Sequence, residues 1–348
     1  INGGSVNTGS AAQHYIGTVT LTGSSTLTAS GVTFDSAVTG NNSLSVNGAT
    51  TLNGGSVTTT GAQSYSGAMT LGADTTLAAG SGDVSLGSTV NGAYALAVNS
   101  TGVTTFGGAI GNTIALTCVT TNAGGTLVMN GSAVTTTDAQ SYSEAITLGA
   151  DTILNAHTAN VTLSNTVNGA YALTVNSTGT TTLGGAIGGG TALTSMTTNA
   201  GGTLVMNGGS ITTNGVQSYG EAITLGVDTT LSAGSANVTL INTVNGAYAL
   251  AVNSTGTTTF GGAIGGVTAL TSVATNAGGT LVMNGGSVTT TGAQSYGEAV
   301  TLGANTILAA GIGDVTLNST INGAYALTVN STGVTTFGGA IGNTTALT

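Results

Sequence analysis

The chain has 348 residues, of which 3% are charged, with ten acidic residues, no Lys and no Arg, for a formal charge of −10. A typical soluble domain is about 25% charged. With no cation to neutralise phosphate, nucleic acid and anionic membranes are excluded as partners, and the surface is expected to be neutral, built from Thr, Ser, Asn and Gly.

The 60 Gly residues do not make a linker, because 40% of the chain is hydrophobic and Val, Leu and Ile recur at regular places. Collagen is excluded by the absence of Pro and of a three-residue Gly period. No apolar run approaches the ~18 residues of a membrane helix, so no membrane insertion is expected. Cys118 is the single cysteine, so no intrachain disulfide forms; Ser195 and Ser272 hold its place in later copies, which reads as drift from Ser.

In chain order, residues 1–62 read as a shortened first repeat. They are followed by repeats at 63–139, 140–216 and 217–293 and a partial repeat at 294–348, expected to form one continuous solenoid. Gln63, Gln140, Gln217 and Gln294, each opening "QSY", recur at one constant interval, whereas Gln13 precedes Gln63 by a shorter one. The opening "INGGSV" matches "MNGGSI" at 206–211, and the closing "NTTALT" matches "NTIALT" at 112–117, as in a window of a longer array. Each full repeat divides into four phrases, such as 63–82, 83–102, 103–122 and 123–139. Within them short runs alternate: Val84 and Leu86 flank Ser85, Tyr94, Leu96 and Val98 flank two alanines, and Ile146 and Leu148 flank Thr147. Period 2 predicts half-buried strands, and no 3.6-residue stripe argues for helix.

The predicted fold class is all-β, a parallel β-helix with about 19 residues per turn and four turns per 77-residue repeat. Each turn would carry roughly three strands joined by corners in which Gly and Asn supply positive φ, with turns stacked about 4.8 Å apart. A β-sandwich array and a transmembrane barrel are the alternatives. The shortened first copy speaks against the sandwich, and the lack of aromatic girdles against the barrel.

The alternation assigns Tyr94, Leu96 and Val98 to the core, with Tyr171, Leu173, Val175, Tyr248, Leu250, Val252, Tyr325, Leu327 and Val329. Asn91, Asn168, Asn245 and Asn322, each followed by Gly, are corner or ladder candidates. Asp74, Asp151 and Asp228 give way to Asn305, a swap that suits caps of local turns and not metal binding. Glu144, Glu221 and Glu298 form a second acidic column, expected about 19 Å apart at four turns per repeat. Glu144 and Asp151 would meet across a corner, yet no aromatic cleft accompanies them for glycosidase chemistry.

"GSGD" at 80–83 and "GIGD" at 311–314 are half of a calcium-binding nonapeptide, but the middle copies lack it. His14 and His157 occupy unrelated registers and read as exposed and inert, and Asn99, Asn176, Asn253 and Asn330 open Asn-Ser-Thr sequons better read as ladder or corner residues. Thr58–Thr60 and Thr135–Thr137 have the spacing of ice-binding threonine ladders. No catalytic, cofactor-binding or metal-binding residue is predicted.

The phrases "GGSVTTTGAQSYSGAMTLGADTTL" at 54–77 and "TVNGAYALAVNSTGVTTFGGAIG" at 89–111 resemble repeats of the filamentous-haemagglutinin-like group, very large bacterial exoproteins that include adhesins and surface-matrix proteins. The resemblance implies a right-handed β-solenoid, secretion to the cell exterior and a structural or adhesive role. The expectation is a non-enzymatic extracellular fibre or stalk whose partner is itself, end to end or laterally, with glycan adhesion or ice binding as alternatives. The lack of Lys and Arg also removes every trypsin-like cleavage site.

Overall fold

A computed structural model describes residues 1–348. All of its secondary structure is β, in 44 strands with no helix, and every strand pairing within the units below is parallel. The chain divides into two compact units, one of Ile1–Tyr171 with Val175–Ser177, the other of Ala172–Thr174 with Thr178–Thr348. Each is a β-solenoid.

In the first unit the chain lays down three strands per turn, one on each of three faces, before it returns above its starting point. The first face stacks Leu27, Val46, Tyr65, Leu86, Phe106, Met129 and Leu148 in one inward column. A second stacks Val19, Val38, Val57, Leu77, Val98, Thr121, Tyr142 and Leu163. The third stacks Val32, Thr50, Met69, Val90, Ile110, Val134 and Leu154. The three columns meet in the interior, where most of these side chains are at most 2% exposed. Burial of each large aliphatic residue contributes about 1.5–3 kcal/mol, and strand alternation leaves most Ser, Thr and Asn outside, with some threonines, such as Thr50 and Thr121, turned inward.

A turn is longer than the repeated phrases suggest. Gln63 lies under Val84, Thr104 under Leu127 and Leu127 under Ile146, so successive turns close after unequal lengths of chain. The average is about 21 residues per turn, above the expected value. The phrase boundaries do fall at corners, but 63–82, 83–102 and 103–122 each hold three strand positions, counting the bridge at Ile110, whereas 123–139 holds only two, so four phrases make less than four turns. The true unit is one strand and its corner, a third of a turn. From the strand Gln63–Tyr65 to Gln140–Tyr142 there are eleven such steps, counting the bridge at Ile110, so a full repeat makes three and two-thirds turns rather than four. Consecutive copies therefore occupy different faces. Gln63 belongs to the first face and Gln140 to the second. In the second unit Gln217 and Gln294 likewise fall in different sheets.

The short first copy obeys the same count. From Gln13–Tyr15 to Gln63–Tyr65 there are eight steps, because Gly23–Phe34 and Leu44–Leu52 each cross a corner and serve two faces. The copy is short by three strands, one whole turn, which leaves every later strand on its proper face.

Four residues assigned to the core lie outside it. Tyr94, Tyr171, Tyr248 and Tyr325 are 39–40% exposed. Each sits in a corner: Tyr94 N–H donates to the Gly92 carbonyl at 2.8 Å, and Gly92 has φ +139°. Extended alternation begins only after that turn, so Leu96 and Val98 are buried while Tyr94 is not. Leu173, Val175, Leu250 and Val252 are buried too, and Leu327 and Val329 are half-buried. The interior tyrosines are those of "QSY", Tyr65, Tyr142, Tyr219 and Tyr296, each at most 1% exposed.

Candidate functional site

The polar side chains that repeat are engaged in tying one turn to the next. Gln63 enters the interior just after a corner. Its amide N–H groups face the Val57 carbonyl at 3.0 Å, the Thr59 hydroxyl at 3.1 Å and the Ala78 carbonyl at 2.9 Å. Val57 and Ala78 lie on strands stacked one above the other, so one side chain clamps two turns. Its carbonyl oxygen accepts the Tyr65 hydroxyl at 3.1 Å. Gln140 with Tyr142, Gln217 with Tyr219 and Gln294 with Tyr296 repeat the arrangement, and Gln13 with Tyr15 makes a looser version. Burial pushes the four interior tyrosine hydroxyls far above their usual range, so they stay donors. The sequence offered "QSY" only as a ruler. Its signal was a polar residue and an aromatic two apart on one strand face.

The aspartates act between turns rather than within them. Asp74 Oδ1 accepts the Ala95 N–H at 2.9 Å, and Asp228 Oδ1 accepts that of Ala249 at 2.9 Å. Asn305 does the same for Ala326 at 3.0 Å. The partner is 21 residues away, which corrects the expectation of a local turn cap. Asp151 occupies the matching place on the outer surface. The half-nonapeptides behave alike: Asp83 and Asp314 accept the N–H groups of Val103 and Val334 at 2.7 Å, and Asn237 accepts that of Thr257 at 2.9 Å. An asparagine stands for the aspartate at one place of the first set, Asn305, and at two of the second, Asn160 and Asn237, so the chemistry needed is an acceptor and not a charge.

Asn91 Oδ1 accepts the N–H groups of Thr113 and Ile114 at 3.0 and 3.2 Å, Asn245 those of Val267 and Thr268 at 2.8 and 3.2 Å, and Asn322 those of Thr344 and Thr345 at 3.0 and 3.3 Å. These asparagines hold down the long corner loop of the turn above. Asn168 ends the strand Val167–Asn168 in the same repeat position. In the sequon 99–101 the residue that links turns is Ser100, whose hydroxyl donates to Gly82 O at 2.6 Å, while Asn99 is exposed on the outer face.

Both histidines are exposed, as expected, but His14 is paired with a carboxylate. His14 Nε2 lies 2.6 Å from Asp35 Oδ2, and hydrogen bonds from Asn53 and His14 hold the Asp35 carboxyl below the usual carboxylate range. His157 has φ +52°, where the matching residues are Gly80, Gly234 and Gly311 at +58°, +59° and +57°. It occupies a left-handed corner that favours Gly. Burial, with Asp138 and Asp74 nearby, pushes the Cys118 thiol up and away from its reactive form.

Glu144, Glu221 and Glu298 are 1% exposed, inside the solenoid, whereas Asp151 is outside, so the carboxylate pair across a corner does not form. The expected axial column does not form either, since Glu221 and Glu298 lie at different corners of the second unit. The outward threonine columns are short: Thr20, Thr39 and Thr58 are followed by Ala78, and Thr33, Thr51 and Thr70 by Asn91.

Comparison with known proteins gives no match: no family model, curated protein or solved structure is similar to this chain.

Proposed function

We propose that the chain is a segment of a non-enzymatic extracellular fibre or stalk, of the filamentous-haemagglutinin-like kind, exported by a bacterium and associating with further copies of itself. The observation that carries this reading is the strand count: eleven steps in a full copy and eight in the short one. A three-faced column that gains or loses whole turns keeps its cross-section and every later register, which suits a spacer of adjustable length. The repeated Asp, Asn and Gln side chains support it as well, since they bind backbone groups of adjacent turns rather than facing a cleft. A surface without Lys or Arg leaves strand edges without cationic gatekeepers, which favours association between copies.

The test is electron microscopy of the chain beside a variant lacking residues 217–293. Loss of three and two-thirds turns should shorten a rod by about 18 Å at unchanged width. Globular particles, or an unchanged length, would count against the proposal. Adhesion to a glycan is a second reading, drawn from the exposed Tyr94, Tyr171, Tyr248 and Tyr325. It requires saturable binding that is lost when those tyrosines become Ala.

A further inference from the structure

The chain contains three glutamates, and all three are buried. The Thr104 hydroxyl donates to Glu144 Oε1 at 3.5 Å, and Thr258 donates to Glu298 Oε1 at 3.1 Å. The other carboxyl oxygen of each has no partner, and neither oxygen of Glu221 has one. A second threonine, Thr121, Thr198 or Thr275, stands beside each carboxyl, as does Thr181 beside Glu221, near enough to favour the charged form but without a well-formed hydrogen bond.

These pockets are built into the repeat. Each glutamate follows a longer than average turn, in which Thr104, Thr181 and Thr258 lie under Leu127, Leu204 and Leu281. The corner of that turn swings wide through Gly124, Gly201 or Gly278, at φ +109° to +110°. Where the short copy passes into the repeat 63–139, the turn under Tyr65 is shorter than average, with Leu44 under Gln63 and Val46 under Tyr65. There the glutamate is replaced by Gly67, where a Cβ would lie 2.3 Å from Gly48 O. The residue under the tyrosine is then Val46, where Thr121 lies under Tyr142. Wide corner, threonine and glutamate come and go together.

A carboxylate in such a pocket needs a cation, and the chain has no Lys or Arg to provide one. On the strands packed around Glu144 (Val103–Phe106, Val119–Thr121, Thr126–Met129, Gln140–Tyr142 and Ala145–Leu148), the only titratable side chain is Tyr142, engaged by Gln140. Tyr219 and Tyr296 hold the same position beside Glu221 and Glu298, on strands otherwise free of titratable groups. A neutral acid meets the need differently, since its O–H donates while its other oxygen accepts a threonine hydroxyl.

We infer that the passage from each full repeat into the copy that follows contains an internal proton-binding site, made by Glu144 with Thr104 and Thr121 and by its two counterparts, so that the solenoid closes around a carboxylic acid and its folding is favoured by acid. Burial pushes all three carboxyls above the usual range, with the threonines opposing it only in part. The folded state then binds more protons than the unfolded one. Stability is fully present below the unfolded carboxyl value of about 4.3 and falls as pH rises through the higher folded value. Within that window each site changes the folded-to-unfolded ratio by up to about tenfold per pH unit.

Because no other glutamate exists, 13C labelling of the glutamate carboxyl in the intact chain reports these sites alone. On titration, these carboxyls in the folded chain are expected to pass from protonated to ionised shifts at a higher pH than in the unfolded chain. Ionisation in the folded chain at or below the pH at which the unfolded chain ionises would overturn the inference. Denaturant midpoints between pH 4 and 8 give the second readout: they should fall with pH in the native chain, and the difference between it and the triple variant E144Q/E221Q/E298Q should carry that slope. Equal slopes in both chains, or restoration of the native chain at pH 8 by sodium or calcium chloride that the glutamine variant does not share, would refute it. The labelling readout stands even if the triple variant does not fold.

Discussion

The Gln140 amide donates to the Asn155 carbonyl at 2.9 Å and to the Val134 carbonyl at 3.1 Å, on two stacked strands of the neighbouring face, while its own oxygen accepts the Tyr142 hydroxyl at 3.0 Å. One buried side chain thus satisfies two turns and an aromatic hydroxyl, and fixes how a strand sits over the strand below. Removing it should cost more than one hydrogen bond. Gln140→Leu is expected to destabilise the surrounding turns by about 3 kcal/mol, because a buried hydroxyl and two carbonyls lose their partner, and Tyr142→Phe by about 1 kcal/mol. Hydrogen-exchange protection of the amides of residues 134–163 measures both. In the double variant the losses should fall short of their sum.

The strained corner at His157 gives a change in the opposite direction. His157→Gly should stabilise the chain by about 1 kcal/mol, since the other copies place Gly there at nearly the same φ. Gly234→Ala should destabilise by a similar amount although its Cβ would meet nothing within 4 Å, the cost being conformational. Denaturant midpoints of the two variants distinguish strain from crowding.

If the acid series at the turns works through an acceptor oxygen, Asp228→Asn should leave stability within about 0.5 kcal/mol of the native chain. Asp228→Ala should cost about 1 kcal/mol through loss of the bond to Ala249 N–H. Equal losses in both variants would show that the charge matters after all.

A whole turn should be removable by design. Val103 is in register with Thr126, so deletion of residues 103–125 joins Gly102 to the strand that belongs one turn higher. That deletion also removes Thr104 and Thr121 and narrows the corner beneath Glu144. The deletion with Glu144→Gly, which copies Gly67, is therefore expected to be more stable than the deletion alone. Far-ultraviolet dichroism and denaturant midpoints give the order. The reverse order would mean that the glutamate does not depend on the wide turn.

Alternation of Val, Leu and Ile with Ser and Thr, the constant repeat period and the absence of cationic side chains were enough to determine a sparsely charged, all-β repeat wound on itself. Those features are local, and a side chain's inward or outward sense within a strand depends only on its neighbours. Tertiary structure alone decided how many residues close a turn, because corner lengths differ and only their sum returns a strand above its start. That sum places consecutive copies of Gln63 and Gln140 on different faces. It also decided that Tyr94 turns outward at a corner while Tyr65 fills the interior, and that Glu144 is buried above a turn longer than the average. A glutamate after a corner looks alike in sequence whether the corner beneath it is wide or narrow.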